Sequence, residues 1–253
     1  MGSIAHHPGA ADFAPLKIGV EARLAARFLR RYKRFFADVQ TGDGRVLTVH
    51  CPNPGSMLGF QRPGAAVRCS TSANPARKLR HTLEMMRVGS TWVGLHTGRA
   101  NDVVARALAA GTPAALAGYG RIEREVSVHA AARRARLDFR LSEKTGERRR
   151  CYVEVKSVTL AEGDLALFPD SVTARGLRHL DALRALRAGG ARAALVFLVQ
   201  RADCHAVAPA EHIDPRYAAA LREAARAGVE LFALAARVTP GAIRVERELP
   251  VLL

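Results

Sequence analysis

Apolar and polar positions change rhythm near residue 100. Before that point, short runs rich in aromatic and β-branched residues are punctuated by glycine and proline. After it, longer apolar runs alternate with stretches at helical spacing. Over residues 24–39, Phe28, Leu29, Tyr32, Phe35 and Phe36 interleave with Arg27, Arg30, Arg31, Lys33 and Arg34. A helix would gather Arg27, Arg30, Arg31 and Arg34 on one face. The aromatic content and the following Thr41-Gly42-Asp43-Gly44 turn instead predict a strand entering a hairpin, with residues 45–50 as its partner. Residues 65–70, 79–88 and 91–95 extend a meander, and short strands set off by Gly and Pro predict a small β-barrel. Its basic and aromatic content fits an oligonucleotide-binding barrel. A barrel serving only as a structural appendage fits the same strands.

The loop Cys51-Pro52-Asn53-Pro54-Gly55-Ser56-Met57 has two prolines that fix φ and a glycine that admits conformations other residues resist. Asn53, Ser56 and the loop N–H groups are candidate phosphate contacts, or parts of an ordinary turn. From Asn101 the texture is α/β. Asn101 is read as a helix cap ahead of Val103, Val104, Ala107 and Leu108. Strands are expected at residues 124–129, 135–141, 150–157, 193–199 and 229–235. Helices are expected at 173–187 and from Asp214-Pro215 to residue 226. A domain boundary falls at 95–100 and no internal repeat is visible.

Lys and Arg number 39 against 23 acids, for a formal charge of +16. Such an excess favours polyanions through counterion release, although a bias toward arginine and alanine contributes to it. The cysteines Cys51, Cys69, Cys151 and Cys204 form no CxxC pair and no zinc-finger spacing, which points to a reduced cytoplasmic protein. No apolar run approaches the ~20 residues of a membrane span, and residues 1–15 read as a loose tail without a signal peptide, its His6-His7 a chance pair. No helix-turn-helix or zinc finger is present to read a promoter.

The chemistry concentrates in Arg136-Leu137-Asp138-Phe139 and Tyr152-Val153-Glu154-Val155-Lys156. Alternation along a strand puts Glu154 and Lys156 on one face and Val153 and Val155 on the other. A hairpin turning at Glu143-Lys144-Thr145-Gly146 brings Asp138 and Glu154 toward each other. Two carboxylates from adjacent strands suit Mg²⁺ or Mn²⁺, and a lysine beside them can orient water or stabilise charge on phosphorus. A cross-strand salt bridge with a neighbouring arginine is the competing account. Residues 121–150 hold ten Lys or Arg and five acids, so these acids lie within a basic surface. Asp170 offers a third acid and Glu125 a further ligand. Arg175 and His179 open the helix expected at 173–187, where phosphate binds well.

Several blocks in fixed order resemble a known family. They are Arg31-Tyr32-Lys33-Arg34-Phe35, His50 through Met57, Asn74-Pro75-Ala76-Arg77-Lys78-Leu79, Arg136 through Phe139, Tyr152 through Leu160, Phe168-Pro169-Asp170, and Arg175-Gly176 to His179-Leu180. Over residues 24–237 the chain resembles the sugar fermentation stimulation protein (SfsA) family. The resemblance implies an α/β (α+β) chain. After a tail over 1–22 comes an oligonucleotide-binding (OB-fold) barrel over 23–97 and a domain like the PD-(D/E)XK restriction-type nucleases over 98–253. It carries over Asp138 and Glu154 as metal ligands, and Asp138, Glu154 and Lys156 as the catalytic set. It implies DNA binding without strong sequence preference and a link to sugar (maltose) metabolism genes. Ala135 and Pro54 stand where the family usually has Ser and Thr.

The expected DNA contacts are Arg30, Arg31, Lys33, Arg34, Asn53, Ser56, Arg77, Lys78, Arg136 and Arg175. Double-stranded DNA is the first expected partner and single-stranded nucleic acid the second. No membrane partner is expected, and the location is cytoplasmic at the nucleoid. Three points stay open: whether the chain cuts DNA or only binds it, whether RNA is the substrate, and whether it forms a homodimer.

Overall fold

The computed structural model describes residues 16–130 and 133–253, so the tail expected over residues 1–15, with its His6-His7 pair, lies outside it. The rest of that tail is structured. β1 (Lys17–Gly19) pairs antiparallel with the last strand of the chain, and Leu16, Val20 and Ala22 are buried.

β2 (Leu24–Tyr32), β3 (Phe36–Thr41), β4 (Val46–His50), β5 (Ala66–Thr71), β6 (His81–Val88) and β7 (Thr91–Gly94) form one sheet in the order β4-β3-β2-β5-β6-β7. A bridge between His50 and Thr82 joins β4 to β6 and closes β2 to β6 into a barrel around Phe28, Val39, Val49, Val67 and Leu83. The single strand expected over residues 24–39 is two. They are joined at Lys33 and Arg34, whose φ values are 46° and 63°. The register pairs Tyr32 with Phe36, so residues 33–35 form a three-residue connection; such loops usually carry glycine at a left-handed position, so Lys-Arg gave no sign of a break.

The second unit starts with α1 (Gly98–Ala109), followed by β8 (Tyr119–Ala130), β9 (Arg133–Lys144), β10 (Cys151–Val158), β11 (Ala161–Glu162), β12 (Leu165–Phe168) and α2 (Ala174–Ala188). After these come β13 (Arg192–Val199), β14 (Ala206–Pro209), α3 (Pro215–Arg226), β15 (Glu230–Thr239) and β16 (Ala242–Leu249). A seven-stranded mixed sheet runs β1-β16-β15-β13-β10-β9-β8, with β10, β13 and β15 parallel. Alternation assigns its faces. Ala194, Val196 and Leu198 pack with Val103 and Val104 of α1, while Leu195, Phe197 and Val199 pack with Leu180, Leu183 and Leu221 of α2 and α3. β13 is thus covered on both faces, which its unbroken apolar run demands.

Thr173 Oγ1 accepts from Gly176 N at 3.0 Å and Asp214 Oδ1 from Tyr217 N at 3.0 Å, capping α2 and α3. The helix cap expected at Asn101 is overturned: α1 begins at Gly98, and Asn101 lies inside it. β1, β11, β12, β14 and β16 were not expected. The first four are short, and β16 carries Arg244, Glu246, Arg247 and Glu248, so its few apolar positions do not stand out.

The two units share a core, since Met85 and Trp92 of the barrel sheet pack into the cluster under α1. The four cysteines are free and buried, and burial pushes the Cys69 and Cys151 thiols up to about 12. Among the described residues no helix is long and apolar enough to cross a membrane.

Candidate active site

The β9–β10 ladder stops at Phe139 opposite Val153. Two residues further along β10, the Val155 N–H donates to Asp138 Oδ2 at 2.7 Å. A side-chain carboxylate thus takes a backbone donor that the ladder leaves free. The other oxygen, Oδ1, accepts from Asn101 Nδ2 of α1 at 2.7 Å. On β10, Val153 and Val155 point into the core under α1, and Glu154 and Lys156 point the other way, as alternation requires. Lys156 Nζ donates to Glu154 Oε1 at 2.7 Å, and His179 Nδ1, from α2, bonds to the same oxygen and lies 3.2 Å from Lys156 Nζ. Glu154, Lys156 and His179 are 3%, 9% and 7% exposed, so their charges are largely removed from water and depend on each other.

The two acids are tuned apart. Burial, reinforced by the charge of Glu154, pushes the Asp138 carboxyl up to about 6 against the pull of Val155 N–H and Asn101. Burial acts on Glu154 in the same sense, but Lys156 and His179 outweigh it and hold that carboxyl below its ordinary value. Glu154 Oε2 is buried without a partner. Such an orphaned oxygen is costly. A divalent cation fits here on both counts, because it would satisfy Oε2 and relieve the repulsion that raises Asp138. Among the described residues no three His, Cys, Asp or Glu side chains gather as ligands. A cation held by Asp138 and Glu154 would therefore complete its shell with backbone, water or phosphate oxygens, the usual manner of Mg²⁺.

His179 also lines a cleft of about 580 Å³ whose other charged walls are Arg134, Arg136, Arg175, Arg178 and Asp181. Asp181 lies 3.9 Å from Arg184, outside the cleft lining. The cleft is thus strongly cationic and shares His179 with the acidic pair.

The other expected site residues divide. Arg136 and Arg175 lie in the cleft. Glu125 falls at the position of β8 facing Asp138, where the ladder skips a pair. Its φ is 55°, and its carboxylate pairs with Arg136 Nε at 2.8 Å rather than completing a ligand set. Asp170 is not brought to the acids. Its Oδ2 accepts from Met57 N at 3.0 Å, and its backbone oxygen accepts from Ser56 Oγ at 2.5 Å, so it fastens the barrel to the second unit. Ser56 is committed there, and buried Asn53 turns its Oδ1 onto Gly55 N at 2.9 Å, which removes both side chains from phosphate. Arg31 braces the same loop through Asn53 O and Ser56 O, and Arg77 bonds to Thr82 Oγ1. Arg30 pairs with buried Asp38 at 2.8 Å. Lys33, Arg34 and Lys78 are exposed.

Asn101, Arg134 and Arg178 were missed. Arg178 stands one helical turn after Arg175 and was visible as such. Asn101 resembled a cap, and its bond to Asp138 is tertiary.

Family models agree with this architecture. The SfsA N-terminal OB domain matches residues 29–95, and the sugar fermentation stimulation protein RE domain matches residues 98–242. A sugar fermentation stimulation protein homolog of Geobacter metallireducens is 48% identical over 225 residues, 89% of this chain and 95% of the relative. Another from Halorhodospira halophila is 52% identical over 228 residues, 89% and 94% of the two chains. The solved structure of Pyrococcus furiosus SfsA in complex with Ca²⁺ superposes with a TM-score of 0.83 at 29% identity, covering 93% of this chain and 98% of that one. The OB barrel, the mixed α/β unit and these relatives together establish that the chain belongs to the sugar fermentation stimulation protein (SfsA) family.

Proposed function

We propose that this protein binds DNA through its phosphate backbone and hydrolyses phosphodiester bonds with a divalent cation held by Asp138 and Glu154. The observation that carries the reading is the meeting of an intact Asp138, Glu154 and Lys156 set with an arginine-lined cleft, joined through His179. The relative solved in complex with Ca²⁺ supports the reading that a divalent cation binds here. When bound, the cation supplies Lewis-acid polarisation of a phosphoryl oxygen and a more acidic water. The chain supplies the rest. Arg134, Arg136, Arg175 and Arg178 hold backbone phosphates without reading bases. Lys156 Nζ stabilises charge developing on phosphorus, and His179 holds Glu154 in place. A net charge of +16 draws the polyanion in.

Supercoiled plasmid and short duplex DNA, incubated with Mg²⁺, Mn²⁺ or EDTA beside Glu154→Ala, test the reading. Metal-dependent nicking that disappears in the variant is expected. A gel shift in every lane with no nicking would leave a DNA-binding protein and remove the catalytic half. Nicking by the variant equal to wild type would remove the assigned site.

A further inference from the structure

Among the described residues, the large hydrophobic side chains most open to solvent are Phe35, Val46, Leu58, Val172, Leu252 and Leu253. Three of these belong to segments bonded to one another where the barrel meets the second unit. Phe35 follows the β2–β3 turn, Leu58 follows the 51–57 loop, and Val172 lies between Asp170 and the α2 cap Thr173. Arg31 and Arg34 donate to the carbonyls of Asn53, Ser56 and Pro54, and Cys51 N donates to Phe35 O at 2.8 Å. Ser56 and Met57 then bond to Asp170. Two turns along α2 from that loop, His179 reaches Glu154.

Phe35 is the most exposed aromatic of this junction at 43%. It follows Lys33 and Arg34, both in the left-handed region, where side-chain-bearing residues are held only against a cost. The turn is nonetheless fixed: Arg31 Nε donates to Arg34 O at 2.9 Å and Phe35 N to Lys33 O at 2.7 Å. Behind it Tyr32 and Phe36 stack at 5.6 Å, and the Arg34 guanidinium lies 5.8 Å from the Phe35 ring centre. A rigidly presented aromatic directly after two cations is shaped for a base with a free π-face beside its phosphates. Bases of an intact duplex have both faces covered, and a duplex backbone gains nothing from phenyl contact.

We propose that Phe35 stacks on a base of an unpaired DNA strand, with Lys33 on a flanking phosphate and Arg34 bracing the ring from the 51–57 loop. The strand then passes over the 51–57 loop toward the arginine cleft and the acidic pair. This rests on the reading of the protein as DNA-binding and names the form of DNA that the site takes.

The test measures binding of a labelled oligothymidine, longer than the roughly 4–16 nucleotides one such barrel covers, and of a duplex of equal length. Wild type, Phe35→Ala, Phe35→Tyr and Phe35→Trp are compared. Phe35→Ala is expected to weaken single-strand binding at least about fivefold and duplex binding less than about twofold, with Phe35→Tyr near wild type. Trp fluorescence in Phe35→Trp should be quenched by the oligothymidine and not by the duplex. An equal loss on both DNAs, or no loss on the single strand, overturns the proposal. Wild type that binds duplex alone overturns it and leaves the DNA-binding reading standing. Binding to neither overturns both.

Discussion

Asn101 Nδ2 donates to Asp138 Oδ1 at 2.7 Å, so a helix on one face of the sheet fixes one acid, while His179, from a helix on the opposite face, fixes the other through Glu154. The pair is therefore held from both faces by a rigid scaffold, which a cation site requires. Asn101→Ala removes the donor and leaves both proposed ligands, Asp138 and Glu154, in place. Mn²⁺ affinity and plasmid nicking should fall about 10- to 100-fold, the usual effect of losing an outer partner of a ligand. Unfolding free energy should fall by no more than a lost hydrogen bond allows, about 1 kcal/mol. Titration calorimetry with Mn²⁺ beside a melting curve separates the two effects.

Asp138 sets the pH dependence expected of the proposed cation site. Its carboxyl is pushed up to about 6, first by burial and then by Glu154. The proton competes with the cation for the same oxygens, so Mg²⁺ and Mn²⁺ affinity should weaken as pH falls through about 6. For the cation-free protein the sign is opposite to that of a salt-bridged acid. A raised native pKa favours folding below the unfolded value of about 3.9, and that contribution is lost as pH rises toward the native value. Glu154, held low, contributes in the other direction, and its share is lost as pH falls below its unfolded value of about 4.3. Between those limits Asp138 titrates alone of the two acids, and comparison with Asp138→Asn cancels the contribution of the histidines held below their ordinary value. Chemical denaturation in EDTA should show wild type losing stability relative to Asp138→Asn across this window, and carboxyl ¹³C shifts should place the Asp138 midpoint near 6.

The junction between barrel and sheet turns on Gly55. A Cβ there would lie 2.5 Å and 2.6 Å from the Asp170 carboxylate oxygens, and that carboxylate is anchored by Met57 N–H. Gly55→Ala should therefore cost about 1–3 kcal/mol through overpacking rather than through backbone strain. Asp170→Ala should cost a similar amount by leaving Met57 N without its acceptor. Their effects should not add: in the double variant the steric conflict is absent, giving a coupling of roughly 0.5–3 kcal/mol. Additive losses in urea melts would show that the loop relaxes away from Asp170.

Much of this was legible in the chain. The α/β fold with its barrel, and the Asp138, Glu154 and Lys156 set, followed from alternation, turn residues and motif order. The parts that were not legible depend on partners distant in sequence. Ser56 and Asp170, 114 residues apart, each resembled a phosphate or metal contact because a free hydroxyl and a loop acid are what such sites use. Nothing local says that they satisfy each other. Asn101 carries the residue type of a helix cap, and only the packing of α1 directs its amide to Asp138. The Lys33-Arg34 turn lacks the glycine that announces a left-handed pair, so the strand break at that point left no mark.

The arginine cleft makes a claim separable from catalysis. Arg175 and Arg178 lie one turn apart on α2 and line the cleft with Arg134 and Arg136. Arg136 is engaged by Glu125, so its charge is already partly compensated, whereas no ion pair among the described residues compensates Arg175 or Arg178. These two should carry the larger share of the electrostatic attraction. Each arginine that neutralises one phosphate contributes about 0.9 to the slope of log affinity against log salt. The double substitution Arg175→Ala/Arg178→Ala should therefore flatten that slope by about 2 and weaken binding to unrelated duplex sequences alike. Arg136→Ala should flatten it by less. Replacing Arg175 and Arg178 with lysine should restore most of the slope, because counterion release counts charge and not the guanidinium fork. A slope unchanged by the double alanine variant would mean that the cleft does not meet the phosphate backbone. Any DNA binding would then rest on positive charge elsewhere on the chain.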